Sequence, residues 1–153
     1  MVAKKYILSV VFLVLSAAAS AQFVAKMEVK EPIDGLCHAN DVYAIFPMFE
    51  GQSEAVCPVS TNELLSRLNK DVQFVKDNPR HNDKGMIGLV VNCKGDVVKV
   101  KMDRKTKDPE LDRQIEAVFA SLGEWKPGKI NGNEVDTSKL FSFRIKKGTF
   151  SFD

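Results

Sequence analysis

The apolar residues of this chain repeat first with a helical period and later with the two-residue period of a strand. Four of them follow one another at helical spacing: Leu64, Leu65, Leu68 and Val72. Ser60 and Glu63 form a capping box, in which the Ser hydroxyl accepts from the amide of residue 63 and the Glu carboxylate reaches back. The pattern predicts a first helix over residues 61–71.

A strand pattern comes next. The run from Met86 to Cys93 contains β-branched and other apolar residues on both faces, and the valines after residue 96 continue the pattern to about Met102. The turn residues Lys94-Gly95-Asp96 lie between the two runs. Because the link is short and contains glycine, the two runs predict an antiparallel hairpin.

The start of a second helix is clearly marked. Asp108 is a favourable N-cap, Pro109 fits the first helical position, and Glu110 favours the positive end of the helix dipole. One apolar stripe follows: Leu111, Ile115, Val118, Phe119 and Leu122. Gly123 is the predicted C-terminal cap.

Beyond this helix, Phe141, Phe143 and Ile145 alternate with polar residues, which predicts a strand with one buried face. A final alternation over residues 150–152 either extends that strand past a bulge or turns back on it. The two helices must bury their stripes against the sheet. The order helix, hairpin, helix, strand therefore predicts an α+β, two-layer domain with both helices on one sheet face.

The N-terminal third is different in character. Residues 1–21 have the pattern of a secretory signal peptide: two lysines, an apolar run, and small residues that predict cleavage after Ala21 and export to the periplasm. An uncleaved membrane anchor is the alternative, although the apolar run is at the short end of the roughly 20 residues that span a bilayer. Residues 22–58 read as an arm with a short edge strand that Pro47 ends, before a domain of residues 59–153.

Charge limits the classes of partner. The chain has 22 basic and 20 acidic residues, and losing residues 1–21 removes two lysines and no acid. The mature chain is then near neutrality, which argues against nucleic acid. A local basic cluster surrounds the second strand of the hairpin: Lys99, Lys101, Arg104, Lys105 and Lys107. It is either a solvated face or a surface for an acidic peptide.

Three cysteines allow at most one intramolecular disulfide. We expect Cys57–Cys93, which would tie the approach to the first helix to the hairpin. Cys37–Cys57 is the competing pair, and Cys93 can alternatively be a buried small apolar side chain. Cys37, His38 and Cys57 are metal-capable types, but their spacing matches no compact metal motif.

Catalytic chemistry has little support in the sequence. Both histidines lie in polar loops, no Gly-x-Ser-x-Gly motif or glycine-rich phosphate loop occurs, and the acids from Asp103 to Asp112 are explained by a turn and a helix start. We expect no enzyme activity, no cofactor and no small-molecule substrate. A metal protein or enzyme that uses Cys37, His38 and Cys57 is the alternative from another class.

The link between the second helix and the closing strand has specific turn chemistry. Its marked residues are Trp125, Pro127, Gly128, Asn131 and Gly132. Asn131-Gly132 predicts a tight turn that tolerates positive φ. We expect Trp125 to pack on the second helix and the sheet, with a partner for its indole N–H.

This link completes an ordered set of motifs. The others are the hairpin over residues 88–97, the helix start at residues 110–112 and the Phe-rich closing strand. The set resembles the TonB C-terminal domain family over about residues 60–153. The resemblance implies a helix-flanked, three-stranded antiparallel sheet in a periplasmic domain that binds a peptide segment of an outer-membrane transporter by strand addition.

By analogy, the closing strand supplies the binding edge: Leu140, Phe141, Ser142, Phe143, Arg144, Ile145 and Lys146. Such an edge also permits a homodimer. Only three prolines lie between residue 21 and the first helix, so the Pro-rich spacer of an energy transducer is missing. We therefore expect an envelope module that binds a protein or peptide. The alternative is a membrane-anchored transducer of the TonB type that keeps residues 6–21.

Overall fold

The structure is a computed structural model that describes residues 24–153. The expected signal peptide, residues 1–21, lies outside the described residues. The strands are β1 (Ala25–Met27), β2 (Val42–Ala44), β3 (Gln52–Ser53), β4 (Asp83–Val91), β5 (Val97–Arg104), β6 (Gly128–Ile130), β7 (Asn133–Val135), β8 (Thr137–Lys146) and β9 (Thr149–Phe152). The helices are α1 (Thr61–Asp71), α2 (Gln73–Asp77) and α3 (Pro109–Ala120). Within residues 24–153, none of these helices has the length and apolarity that a membrane span requires.

Both long helices begin where their capping residues predict. Ser60 Oγ accepts from the Glu63 amide at 3.2 Å, ahead of α1. The Asp108 carboxylate accepts from the amides of Glu110 and Leu111, at 2.8 and 3.3 Å, ahead of α3. The predicted bounds of the first helix are confirmed, and the short α2 after it was not foreseen.

The predicted hairpin is the centre of the main sheet. β4 pairs with β5 on one side and with β8 over its whole length on the other, both antiparallel. The six strands lie in the order β1-β2-β8-β4-β5, with β9 also paired to β8. The α+β class is correct, but the three-stranded antiparallel sheet was wrong, because the sheet has six strands and is mixed.

Two additions account for the larger sheet. In the arm, β2 pairs in parallel with the start of β8 and carries β1 on its other side. At the other end, Lys147 and Gly148 both have positive φ, 49° and 70°, and form a two-residue turn. This turn folds β9 back along β8, so the final Phe-rich alternation is a separate strand.

Alternation along β4 and β8 separates the two faces of the sheet. Ile87, Leu89 and Val91 of β4 are buried beneath the helices, as are Phe143 and Ile145 of β8. The helices supply the other half of this core: Leu64, Leu68, Leu111, Ile115, Val118 and Phe119. The intervening residues point the other way and form what we call the helix-free face.

The Trp125 link forms a second, three-stranded sheet in the order β3-β6-β7. Asn131 and Gly132 connect β6 to β7 with φ of 52° and 81°, which confirms the predicted tight turn. Trp125 is 2% exposed and lies in the core beside Phe141, with ring centroids 6.2 Å apart. The expected partner for its indole N–H is wrong: Nε1 has none among the described residues.

Candidate functional site

The predicted binding edge, Leu140–Lys146, lies inside the sheet. One side of β8 is paired with β4 from Thr137 to Ile145. On the other side, β2 pairs with Thr137 and Ser138, and β9 pairs with residues 143–146. The edge prediction was wrong for residues 143–146, because β9 occupies their outer side. Among the described residues, no strand pairs with the outer side of residues 139–142, which lies between β2 and β9.

In the part of the chain that the structure describes, β5 is the longest strand of the main sheet that has an edge open along its whole length; the short strands β1 and β9 also pair on one side only. Among the described residues, β5 pairs only with β4, so its outer side has no strand neighbour. The amide of Met102 does not pair with a strand and donates instead to Glu116 Oε1 of α3 at 2.8 Å. An incoming strand would therefore pair along residues 97–101 or displace this carboxylate.

The open edge is basic. Register with β4 places Lys99, Lys101 and Arg104 opposite Val90, Gly88 and Met86, on the helix-free face. The strand holds a single acid, Asp103. None of the three cations forms an ion pair within the part of the chain that the structure describes.

At the residue-104 end of this edge the surface becomes concave. A pocket of about 720 Å³ is lined by Asn82, Asp83, Lys84, Arg104, Lys105, Lys107, Arg144, Ile145 and Lys146. Its six cations come from three segments of the chain: the start of β4, the end and exit of β5, and the end of β8. We call it the basic pocket.

Asn82 and Asp83 hold the walls of the basic pocket together. The Asp83 carboxylate accepts from the amides of Lys84 and Lys107, both at 2.9 Å, and lies 3.2 Å from His81 Nε2. Asn82 accepts from the Lys147 amide through Oδ1 and from Lys107 Nζ through its carbonyl oxygen. The β5 exit and the β8–β9 turn are therefore both fixed to the start of β4.

Asp83 is the one acid in the pocket lining, and it is committed to these contacts. Burial opposes its ionisation, but the hydrogen bonds from the Lys107 and Lys84 amides and from His81 outweigh burial and lower the pKa of Asp83 below its usual range. The carboxylate is ionised at neutral pH and has its acceptors filled by neighbours. It therefore neutralises little of the charge that faces the pocket.

A second partnered carboxylate lies at the opposite end of β8. Asp136 is fully buried, and its Oδ2 accepts from the amides of Cys37 and His38 at 2.9 and 3.0 Å. Its Oδ1 accepts from the Cys93 amide at 2.8 Å. This side chain joins the arm to the β4–β5 turn.

The disulfide lies at the same place and joins Cys37 to Cys93. Both alternatives with Cys57 were wrong, because the Asp136 carboxylate brings the backbones of Cys37 and Cys93 together. Cys57 is left as a free, partly buried thiol, and burial raises its pKa. At neutral pH it is protonated.

The alternative prediction was a metal site formed by Cys37, His38 and Cys57. Within residues 24–153, the group of potential ligands that converges is Cys37, Cys93 and Asp136, and the two sulfurs of this group are already joined as a disulfide. His38 contributes a backbone amide to Asp136 and has an exposed side chain. The predicted combination of Cys37, His38 and Cys57 does not come together.

Two glycines are required where the Trp125 link packs against the main sheet. Gly95, in the β4–β5 turn, has φ of 93°, and an added Cβ would lie 2.1 Å from the Trp125 carbonyl oxygen. A Cβ on Gly128 would lie 2.5 Å from a Thr137 methyl carbon. Close backbone approach explains both glycines, and it places the Trp125 link against the sheet rather than in a ligand site.

Sequence reasoning found half of the basic pocket and missed how it is assembled. The cluster at residues 99–107 is local and was visible as a run of lysines and arginines. Lys84 was missed, and Arg144 and Lys146 were assigned to a strand edge. Arg144 and Lys146 occupy solvent-facing alternation positions of the predicted closing strand. Lys84 lies before Met86, where the predicted hairpin begins, so no strand pattern marked it.

No protein-family model, curated protein or solved structure matches this chain. Function has to be inferred from the chemistry of the chain itself. That chemistry comprises an open basic strand edge, a basic pocket beside it, and a buried carboxylate at the far end of the sheet whose hydrogen bonds are internal.

Proposed function

We propose that this protein is a non-catalytic binding module that pairs an extended, acidic segment of a partner protein with the outer side of β5. The observation that supports it is the combination of an unpaired strand edge with Lys99, Lys101 and Arg104 and a single acid. An incoming strand would gain main-chain hydrogen bonds from the edge and charge complementarity from the side chains.

The same charges explain why this edge favours a partner over a second copy. Lysines on an exposed edge strand oppose pairing with an identical strand, because like charges would face each other. An acidic strand meets opposite charges at the same positions. The edge therefore discriminates by repulsion as well as by attraction, and a homodimer through β5 is disfavoured.

The setting we propose is the cell envelope. The pattern of residues 1–21 supports export, and the resemblance to the TonB C-terminal domain family supports binding by strand addition. We place the binding edge at β5 rather than β8, since β2 and β9 occupy both ends of the outer side of β8 and leave only the short segment 139–142 between them. Without a Pro-rich spacer, binding rather than energy transduction is the role we propose.

Two matched variants test the edge proposal. The probe is a synthetic β-prone peptide with alternating Thr and Glu, titrated by calorimetry. We expect Lys99→Gln/Lys101→Gln to weaken binding by about 1–2 kcal/mol, roughly five- to thirty-fold. Lys70→Gln/Lys76→Gln removes the same charge from exposed helix positions and should leave the affinity unchanged. Equal losses in both would show attraction to net charge and contradict edge binding.

Export is tested separately, by mass spectrometry of the protein recovered from its native cell envelope. A chain that starts at Gln22 is the expected result. A chain that retains residues 6–21 would contradict cleavage and would restore the anchored transducer. Neither result affects the test of the β5 edge.

A further inference from the structure

We infer that the basic pocket is a second binding site, for a ligand that carries a phosphate group. This site goes beyond the strand edge: it shares Arg104 with that edge, but its other cations come from β4, the β5 exit and β8, and its concave shape suits a compact anion rather than an extended chain. The lining of the pocket, its unpaired charge and its shape each support the inference.

The charge of the pocket is concentrated and uncompensated. Of its six cations, only Arg144 has an ion-pair partner among the described residues: Asp153, at 3.2 Å. The other five form no ion pair within residues 24–153: Lys84, Arg104, Lys105, Lys107 and Lys146. The single lining acid, Asp83, is occupied by two backbone amides and His81.

Register places like charges opposite each other in this pocket. Lys84 of β4 lies directly opposite Arg144 of β8, and both side chains point to the helix-free face. Like charges in directly opposed positions destabilise an antiparallel pair. Both positions are exposed and either could hold a neutral residue without loss of packing. A bound anion between them would turn the repulsion into two attractions.

The geometry favours phosphate over other anions. A phosphomonoester carries about −1.5 to −2 charges and three strong acceptor oxygens, which match several converging donors. Arg104 and Arg144 can each offer two parallel N–H groups to such an oxygen pair. A volume of about 720 Å³ is that of a small-ligand site. A lone carboxylate would leave most of these cations unpaired.

Two sources can present this chemistry: a free phosphorylated small molecule or the headgroup of a phosphorylated lipid. Pyrophosphate represents the first source, and phosphatidylcholine vesicles that contain phosphatidic acid represent the second. Vesicles of phosphatidylcholine alone are the control for the lipid arm. Both arms use the chain expected after signal cleavage, residues 22–153, with its disulfide intact.

The decisive comparison uses two double variants with equal charge loss on the same sheet face. Lys84→Gln/Lys146→Gln removes pocket cations, whereas Lys99→Gln/Lys101→Gln removes edge cations outside the pocket. We expect the pocket variant to lose about ten-fold or more in affinity for pyrophosphate or for the phosphatidic acid vesicles. The edge variant should lose less than about two-fold.

Each outcome decides the inference. Loss confined to the pocket variant supports it, and the arm that shows binding identifies the source of the phosphate. Equal losses in both variants, or no binding in either arm, overturn it. The acidic-strand proposal is separable, because the edge variant should weaken the Thr/Glu peptide while leaving pyrophosphate bound. Lys105→Gln/Lys107→Gln repeats the pocket test if the first variant melts at a lower temperature.

Discussion

The two ends of the β4–β8 ladder each contain a carboxylate held by backbone amides, but their surroundings differ. At one end, Asp136 is fully buried and accepts from three amides beside the Cys37–Cys93 disulfide. At the other end, Asp83 accepts from two amides and contacts His81, and six cations surround it.

The difference distinguishes a structural end from the end where we propose binding. Near Asp136, the buried Asn92 has internal partners as well: its Oδ1 accepts from the amides of Lys94 and Asp96, and its Nδ2 donates to the Gly35 carbonyl oxygen. Around Asp83, the backbone is satisfied but five cations are not paired with a carboxylate in the described chain. Cations that no protein carboxylate neutralises are available to bind an anionic ligand.

Removing the buried carboxylate should have the largest effect on stability. Asp136→Ala leaves the amides of Cys37, His38 and Cys93 without their acceptor, so we expect a loss of about 4–5 kcal/mol in the free energy of unfolding. Asp103→Ala, at an exposed position of β5, is the control and should change little. Urea unfolding measures both. A loss below about 1 kcal/mol would mean that Asp136 does not join the arm to the sheet.

Removing the disulfide should have a somewhat smaller effect. Cys37 and Cys93 are 56 residues apart, and closing a loop of that length stabilises by about 4 kcal/mol on the chain-entropy account. Cys37→Ala/Cys93→Ala should lose about 2–4 kcal/mol, and Cys57→Ala is the matched control. In the unfolded, unreduced wild type, a thiol assay should find one thiol. Three thiols would show that the disulfide does not form.

At the binding end, Asp83 should give the sheet a pH-dependent contribution. Its folded pKa is lowered, so the native state binds fewer protons than the unfolded state and gains stability as pH rises through about 4. This gain is complete above that range and is lost as pH falls through the folded pKa. Asp83→Asn should therefore be less stable at pH 7, by about 1–2 kcal/mol. Its difference from wild type should shrink as pH falls below the usual Asp range, and a difference independent of pH would contradict this.

The smallest effect should have the opposite sign. Lys84→Gln removes the like-charge pair with Arg144, so we expect a gain of a few tenths of a kcal/mol at low salt. The gain should vanish at high salt, where exposed charges are screened. Lys70→Gln on α1 is the control and should show no such gain. A loss of stability in Lys84→Gln would mean that Lys84 has a structural partner.

Local signals in the sequence were enough to predict the helices and the hairpin. Ser60 and Asp108 cap their helices with their own side chains, and the β4–β5 link needs only a short turn. The β2–β8 pairing was not predictable in this way, because it joins Tyr43 to Thr137 through non-local contacts. β2 has three residues, which are too few to show a periodicity that would identify its partner strand.

The site was predictable to the extent that its residues are adjacent in sequence. The cluster at residues 99–107 was found, but Lys84 and Arg144 meet only through the register of β4 and β8. The disulfide prediction was wrong for the same reason. Cys37 lies beside Cys93 because the Asp136 carboxylate accepts from the amides of both. Its three amide donors come from two distant segments. Spacing between cysteines contains no information about that carboxylate.

The most direct test of the proposed function is amide mapping by NMR with the Thr/Glu peptide. Strand addition at β5 predicts shift changes and slower hydrogen exchange concentrated at residues 97–104, with residues 140–146 unchanged. The amides at both ends of the β4–β8 ladder should keep the chemical shifts that they have in the free protein. Protection at residues 140–146, or no protection at all at residues 97–104, would contradict binding at the β5 edge.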